Sequence, residues 1–343
     1  AQKIGSRAKN HRLARVDHTL GVERSASISN GRVRFESLIG SIAESPHRAP
    51  ASAAMEPGAS VEAPDFDTVW RQAQARGFEP SFLTKEQLRQ YCDEGYCIVD
   101  EGCPPAMLEP LREATARVIA KSRALEWPNP RWCRGQDGEP IDGRPNADDI
   151  WGCSDLLHPA LGEPIMLEYM ATPHVLDVVG DILLIPQAER AAALELQLAN
   201  LLCEPRDAPH SLPWHRDAFV GRDDCDPPAD EEKSKLEGRN FGRDGGTQWN
   251  CALWDDSCLY IVPRSHRRIR TAAEVQVSKL LWDDQRRGCV HIEGEMAVPL
   301  KAGQAVYFQS FLLHRGIYPT GVPRSSIPRA WEEALTERPS TRT

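Results

Sequence analysis

No stretch of this 343-residue chain is apolar for the length that a transmembrane helix or the core of a signal peptide requires. A membrane partner is therefore not expected. Positive charge is short: 41 Lys+Arg stand against 50 Asp+Glu, a net charge of −9, so nucleic acid is not an expected partner either. The ten cysteines contain no C-x-x-C pair, which removes the simplest zinc-ribbon reading. Without a secretory signal they read as reduced thiols used as small core hydrophobes, and the expected compartment is the cytoplasm. Large apolar residues are scarce over residues 1–64, which are Ala-, Ser- and Arg-rich, and an extension without fixed structure is expected there. Its Arg content would suit a targeting segment, although Asp17, Glu23 and Glu36 argue against one; Met55 is a candidate natural start.

What is present begins near Asp65. Thr84-Lys85-Glu86-Gln87 is a capping-box pattern that predicts a helix to Glu94, ended by Gly95. Tyr96–Val99 reads as a short strand. Pro104-Pro105 opens a second helix whose apolar positions Met107, Leu108, Leu111, Ala114 and Val118 recur at helical spacing. Residues 126–147 read as a long surface loop, and a third helix is predicted from Pro173 to Val179 with a stop at Gly180. Beyond it the period changes to two. Leu194, Leu196 and Leu198 alternate with Glu195, Gln197 and Ala199, and further strands fit Gln248–Trp254, Cys258–Val262, Glu295–Leu300 and Gln304–Phe308. Helices first and antiparallel strands after predict a mainly β, α+β fold: a jelly roll or β-barrel buttressed by N-terminal helices.

The chemistry concentrates in two stretches about a hundred residues apart, Trp214-His215-Arg216-Asp217 and Leu313-His314-Arg315-Gly316. If residues 213–217 are a strand, His215 and Asp217 share a face. His314 would complete a set of two imidazoles and one carboxylate, which suits Fe(II) because three coordination positions stay open. Arg324 follows, and its planar fork could grip the far carboxylate of a bound keto acid as Lys cannot. His215-Arg216-Asp217 also mimics a kinase catalytic loop, but Arg222 stands where that loop needs Asn, and no Gly-rich loop or DFG is present.

Order and flanks sharpen the reading. Asp93-Glu94-Gly95-Tyr96-Cys97-Ile98-Val99, Trp214-His215-Arg216-Asp217, Pro263-Arg264-Ser265-His266 and His314-Arg315-Gly316 with Arg324 beyond resemble, in that sequence, the phytanoyl-CoA dioxygenase family of Fe(II)/2-oxoglutarate oxygenases. Ile150-Trp151-Gly152 and Leu157-His158-Pro159 resemble its fungal branch. The resemblance spans roughly residues 84–326 and implies a double-stranded β-helix core of cupin type. It implies Fe(II) on His215, Asp217 and His314, with 2-oxoglutarate and O2 as co-substrates. Arg324 would bind the far carboxylate of 2-oxoglutarate, with Arg329 as the fallback, and Thr320 could add a hydroxyl bond. Gln197 is a candidate to reach the keto acid or to order a metal-bound water, and is equally readable as a half-exposed polar strand residue. Asp217 argues against a halogenase, which replaces the carboxylate by a small residue.

The resemblance implies one oxygenase domain over residues 65–327, with a helical part at 65–190 and a β core at 191–327, followed by a tail at 328–343. It implies oxidation, by default hydroxylation, of a small organic substrate with release of succinate and CO2, in secondary metabolism rather than on an acyl-CoA. Residues 220–246, rich in Asp, Glu, Gly and Pro, read either as a solvated loop or as a lid over the metal. Two departures stand out. Arg264 occupies the Gly position of the usual Pro-Gly-Ser-His turn, and Pro328 falls where a barrel strand should continue. The second, at the C-terminus, motivates an alternative, a catalytically inactive β-barrel that only binds its ligands. His266, His158, His174, His210 and His291 read as turn-fixing, surface or satisfied core residues, and Trp214 and Trp249 as packing.

Overall fold

The computed structural model describes residues 11–16, 23–29, 32–36, 58, 60, 65–133, 147–219, 236, 246–278, 290–322 and 324–333. Seven helices are found among them: α1 (Phe66–Ala75), α2 (Lys85–Glu94), α3 (Pro105–Arg123), α4 (Pro164–Met170), α5 (Pro173–Ile182), α6 (Arg190–Ala193) and α7 (Ala272–Ser278). None is long and apolar enough to cross a membrane. Thr84 caps α2 with a complete capping box to Gln87, and Gly95 ends it at φ 89°, as the sequence pattern predicts. α5 differs from expectation: it runs through Gly180 to Ile182. Gly180 is a point of close approach rather than a stop, because a Cβ there would lie 2.2 Å from Arg190 Nε.

The strands, in chain order, are β1 (His11–Val16), β2 (Glu23–Ser29), β3 (Arg32–Glu36), β4 (Tyr96–Val99), β5 (Pro130–Trp132), β6 (Ile150–Cys153), β7 (Leu194–Ala199), β8 (Leu201–Cys203), β9 (His210–Ser211), β10 (Thr247–Ala252), β11 (Leu259–Ile261), β12 (Met296–Ala297), β13 (Ala305–Gln309), β14 (His314–Tyr318) and β15 (Ser325–Glu333). They form two antiparallel sheets. The larger runs β1-β2-β3-β7-β15-β10-β13-β4, with β8 beside β15 leading on to β6 and β5; the smaller runs β12-β11-β14-β9.

Alternation along the strands explains the layers. In β13, Ala305 and Tyr307 join the core shared with the helices, while Val306 and Phe308 pack with Leu259 and Ile261 between the sheets. In β4, Cys97 and Val99 face the helices and Tyr96 and Ile98 face the barrel interior. The double-stranded β-helix expected from sequence is therefore present, with helices on the outer face of the larger sheet. Eight cysteines are buried thiols, which is the role the composition assigns them.

Three expectations are corrected. Residues 11–36, composed like an unstructured extension, contain the β1–β3 meander, which joins the large sheet through Val33↔Leu196 and Arg34↔Glu195; backbone pairing does not require large apolar side chains. The loop expected over 126–147 contains β5, which pairs with β6. Pro328 does not stop the last strand, and β15 continues past the expected boundary at 327 to Glu333. Its partners on one side are Ser326↔Leu202 and then Arg329↔Ala199. Ile327 and Pro328 thus lie opposite the break between β8 and β7, where the ladder already has a gap. The proposed lid at 220–246 lies almost wholly outside the described residues.

Candidate metal centre

The stretch holding His215 and Asp217 is not the strand that a spacing of two residues suggests. His215 makes a single antiparallel bridge to His314, with reciprocal N–H···O bonds of 3.0 Å. The chain then enters a 3-10 turn over Asp217–Phe219. The bridge fixes His215 against β14, and the turn swings Asp217 back toward both imidazoles. Asp217 Oδ1 lies 3.1 Å from His215 Nε2 and Oδ2 lies 3.6 Å from His314 Nε2. One ligand atom from each of the three residues lies within 4.8 Å of the other two.

The tautomers follow from the backbone. His215 Nδ1 lies 2.7 Å from the carbonyl of Pro213, and His314 Nδ1 lies 2.8 Å from that of Leu312. A carbonyl oxygen only accepts, so each Nδ1 carries the proton and each Nε2 presents a lone pair to the common point. Burial pushes the Asp217 carboxyl up, but in the metal-free protein protonated imidazoles at His314 and His215 outweigh it and hold the group well below the ordinary carboxylate range; a metal ion would take the place of those Nε2 protons. Burial likewise pushes His215 down, and its contact with Asp217 turns the net shift upward. Two neutral nitrogen donors and an ionised carboxylate on one side of a point form the donor set of a facial Fe(II) site. Phe308 packs edge-on against the His314 ring at 5.0 Å and makes an apolar floor.

The same sheet face continues inward from the histidines. Tyr318 pairs with His210, and Leu212 N–H donates to Gly316 O. Tyr318 stacks on Trp151 at 5.1 Å, and its hydroxyl lies across Gly316, 2.1 Å from where a Cβ would stand. The absence of a side chain at 316 makes room for the phenol. Arg324 also packs on Tyr318, its guanidinium 4.6 Å from the ring centre. Arg324 is buried; Nε donates to Asp256 Oδ2 at 2.7 Å and Nη2 to Ser326 Oγ at 3.2 Å. Its Nη1 is buried without a hydrogen-bond acceptor. A held guanidinium with one donor edge unspent fits a carboxylate guest.

The structure thus brings together His215, Asp217 and His314 and leaves Arg324 ready for an anion. Thr320 lies half-buried in the bend between β14 and β15, and no hydrogen bond links it to Arg324 among the described residues. The hydroxyl beside the guanidinium belongs to Ser326, which period-two spacing from Arg324 could have indicated. Asp256, Arg324's ion-pair partner, gave no signal in sequence because only the fold brings it near. Gln197 lies on β7 and Arg329 on β15, with side chains outside the described set. Trp214 and Trp249 are buried packing residues, and His266 contacts the Cys92 carbonyl at 3.1 Å and fixes a turn. His210, read from sequence as surface or satisfied core, is buried in the stack with Trp151 and Tyr318.

Two imidazoles and a carboxylate converging inside a double-stranded β-helix define a non-haem iron oxygenase. The model of the phytanoyl-CoA dioxygenase (PhyH) family matches residues 91–317, and the chain belongs to that family. It is accordingly an Fe(II)- and 2-oxoglutarate-dependent dioxygenase. Among solved structures, EctD from S. alaskensis with 2-oxoglutarate and 5-hydroxyectoine is similar at a TM-score of 0.50 and 15% identity, over 84% of this chain and 86% of that one. AviO1 from Streptomyces viridochromogenes Tue57 is similar at 0.49 and 14%, over 76% of this chain and 99% of that one. At 15% identity the likeness to EctD bears on the fold alone. No curated protein sequence matches.

Proposed function

We propose that the chain hydroxylates a small organic substrate at His215, Asp217 and His314, with Arg324 and Ser326 holding the far carboxylate of 2-oxoglutarate. The observation that carries this is the convergence of the three ligand atoms, with both Nδ1 protons committed to carbonyls. Bound iron and 2-oxoglutarate supply the oxidising chemistry: O2 places one oxygen atom in succinate and the other in the product, with release of CO2. The chain's own residues do the rest. Asp217 stays ionised and supplies negative charge to the cation, the backbone carbonyls of Pro213 and Leu312 orient the imidazoles, and Asp256 aims Arg324. Arg216 and Arg315, the cations nearest the ligands in sequence, are engaged elsewhere, on backbone carbonyls and over Trp214. Neither is placed to hold the diphosphate of an acyl-CoA. The eight buried free cysteines among the described residues suit a reducing compartment, the cytoplasm in our reading.

The test is anaerobic addition of Fe(II) and then 2-oxoglutarate to the metal-free protein, following the visible charge-transfer band of a chelated keto acid. His215→Ala should abolish the band. Arg324→Ala should raise the 2-oxoglutarate needed for half-saturation by about a hundredfold, the value of two charge-assisted hydrogen bonds. A folded wild-type protein with no band would sink the assignment and favour the inactive binding barrel.

A further inference from the structure

The Pro263–His266 turn lies beside the metal centre and contributes no ligand to it, yet it touches both halves of the ligand set. Ser265 is fully buried. Its hydroxyl accepts a hydrogen bond of 2.8 Å from Leu313 N–H, the amide immediately before His314. Its carbonyl accepts one of 2.8 Å from Arg216 Nη2, the side chain between His215 and Asp217, and the same nitrogen donates to Arg268 O at 3.0 Å. The turn is itself fastened to the end of α2. Arg264 N–H donates to Glu94 O at 2.9 Å, and His266 Nε2 and Arg267 Nε both meet Cys92 O. Val262 N–H donates to Leu313 O at 2.9 Å, closing the frame around the second histidine.

Resting on the reading of His215, Asp217 and His314 as the metal centre, we propose that Ser265 is a positioning residue that sets the spacing of the two ligand-bearing segments. One buried residue holds the approach to His314 by its side chain and the middle of His-Arg-Asp by its backbone. Without the hydroxyl, the Leu313 amide is left buried with no acceptor, and the 312–314 segment must move to satisfy it. Without the Arg216 fork, the segment from His215 to Asp217 loses its tie to the turn. Either change misplaces ligands that must meet within tenths of an ångström, and outer-sphere changes of this kind cost about 10- to 100-fold in metal affinity.

The experiment is a titration of the metal-free protein with Co(II), following the visible d–d bands and heat of binding, on the wild type, H215A, S265A, R216K and V118A. Val118, buried on α3 in the helix-side core, serves as a destabilising control outside the cluster that packs against His314. Binding in the wild type that is lost in H215A confirms the centre; equal binding in both overturns the metal reading itself. Given that centre, S265A and R216K should bind Co(II) about 10- to 100-fold more weakly with altered bands, while V118A keeps wild-type affinity and spectrum despite a lower melting temperature. Wild-type affinity and bands in folded S265A overturn the proposal; should S265A not fold, the same result in R216K overturns it.

Discussion

At Gly95 the backbone leaves α2 with φ 89°, and a Cβ built there would lie 2.5 Å from His266 Nδ1. Gly95→Ala combines left-handed strain with a clash against a buried ring, and should cost about 1–3 kcal/mol in a denaturant titration. Arg264 adopts the left-handed conformation at φ 66° despite its Cβ, so the turn retains its shape without the glycine usual there. Glu274 is a second residue whose state matters. Burial pushes its carboxyl up, but the Arg268 fork and the Thr271 N–H outweigh this and bring it below the ordinary value of 4.5. A carboxyl depressed on folding stabilises above its unfolded value and loses that contribution as pH falls through its folded one. Wild-type stability should therefore fall as pH drops below about 4.5, and Glu274→Gln should show a flatter dependence over that acid range in thermal melts. Order and flanks in the sequence marked His215, Asp217 and His314, which lie together, and Arg324 by its place after them; the roles of all four remain our proposal. Ser326 was within reach of period-two spacing from Arg324, whereas Asp256 was not, since only the fold brings it to Arg324.

Among the elements, α5 and α6 meet through one buried carboxylate. Asp181, fully buried, accepts from the N–H groups of Ser81, Phe82 and Leu83 and from Arg190 Nη2. It therefore ties the loop ahead of α2 to the helix pair, and Gly180 has no side chain because the Arg190 guanidinium occupies that space. Asp181→Asn keeps the volume but replaces an acceptor oxygen by an N–H donor among the amides of Ser81, Phe82 and Leu83; Arg190 retains Asp177 at 3.0 Å, and the change should cost about 1–3 kcal/mol in unfolding free energy. Should the urea midpoint barely move, this carboxylate is not a keystone of the helical layer. The capped helix α2 was readable in full because its signals are local. The end of α5 was misread because Gly180 serves a contact with Arg190, beyond the reach of any local pattern. The strand inferred for 213–217 proved to be one bridge and a turn, yet the ligands still converge, because the bridge to His314 does what strand spacing was expected to do.

On the scale of the whole molecule, the jelly roll was legible as a change of hydrophobic period near Leu194, while the order of its strands was not. Pairings such as β10 with β15 join residues far apart in the chain, and alternation alone does not say which strands become neighbours. Short members such as β5, β8 and β9 were missed because two or three residues show no period.

β15 lies inside the large sheet, between β10 on one side and β7 with β8 on the other, although it follows every one of them in the chain. A ribosome has therefore released all the other strands before the one that closes the sheet emerges. Until then β10 and β7 expose unpaired edges, and such edges invite pairing with other chains. Arg324, the arginine we propose for the keto acid, arrives with the same segment. A nascent or prematurely terminated chain could therefore carry His215, Asp217 and His314 and still lack it. On that proposal, the order of synthesis postpones use of the co-substrate until the barrel can close.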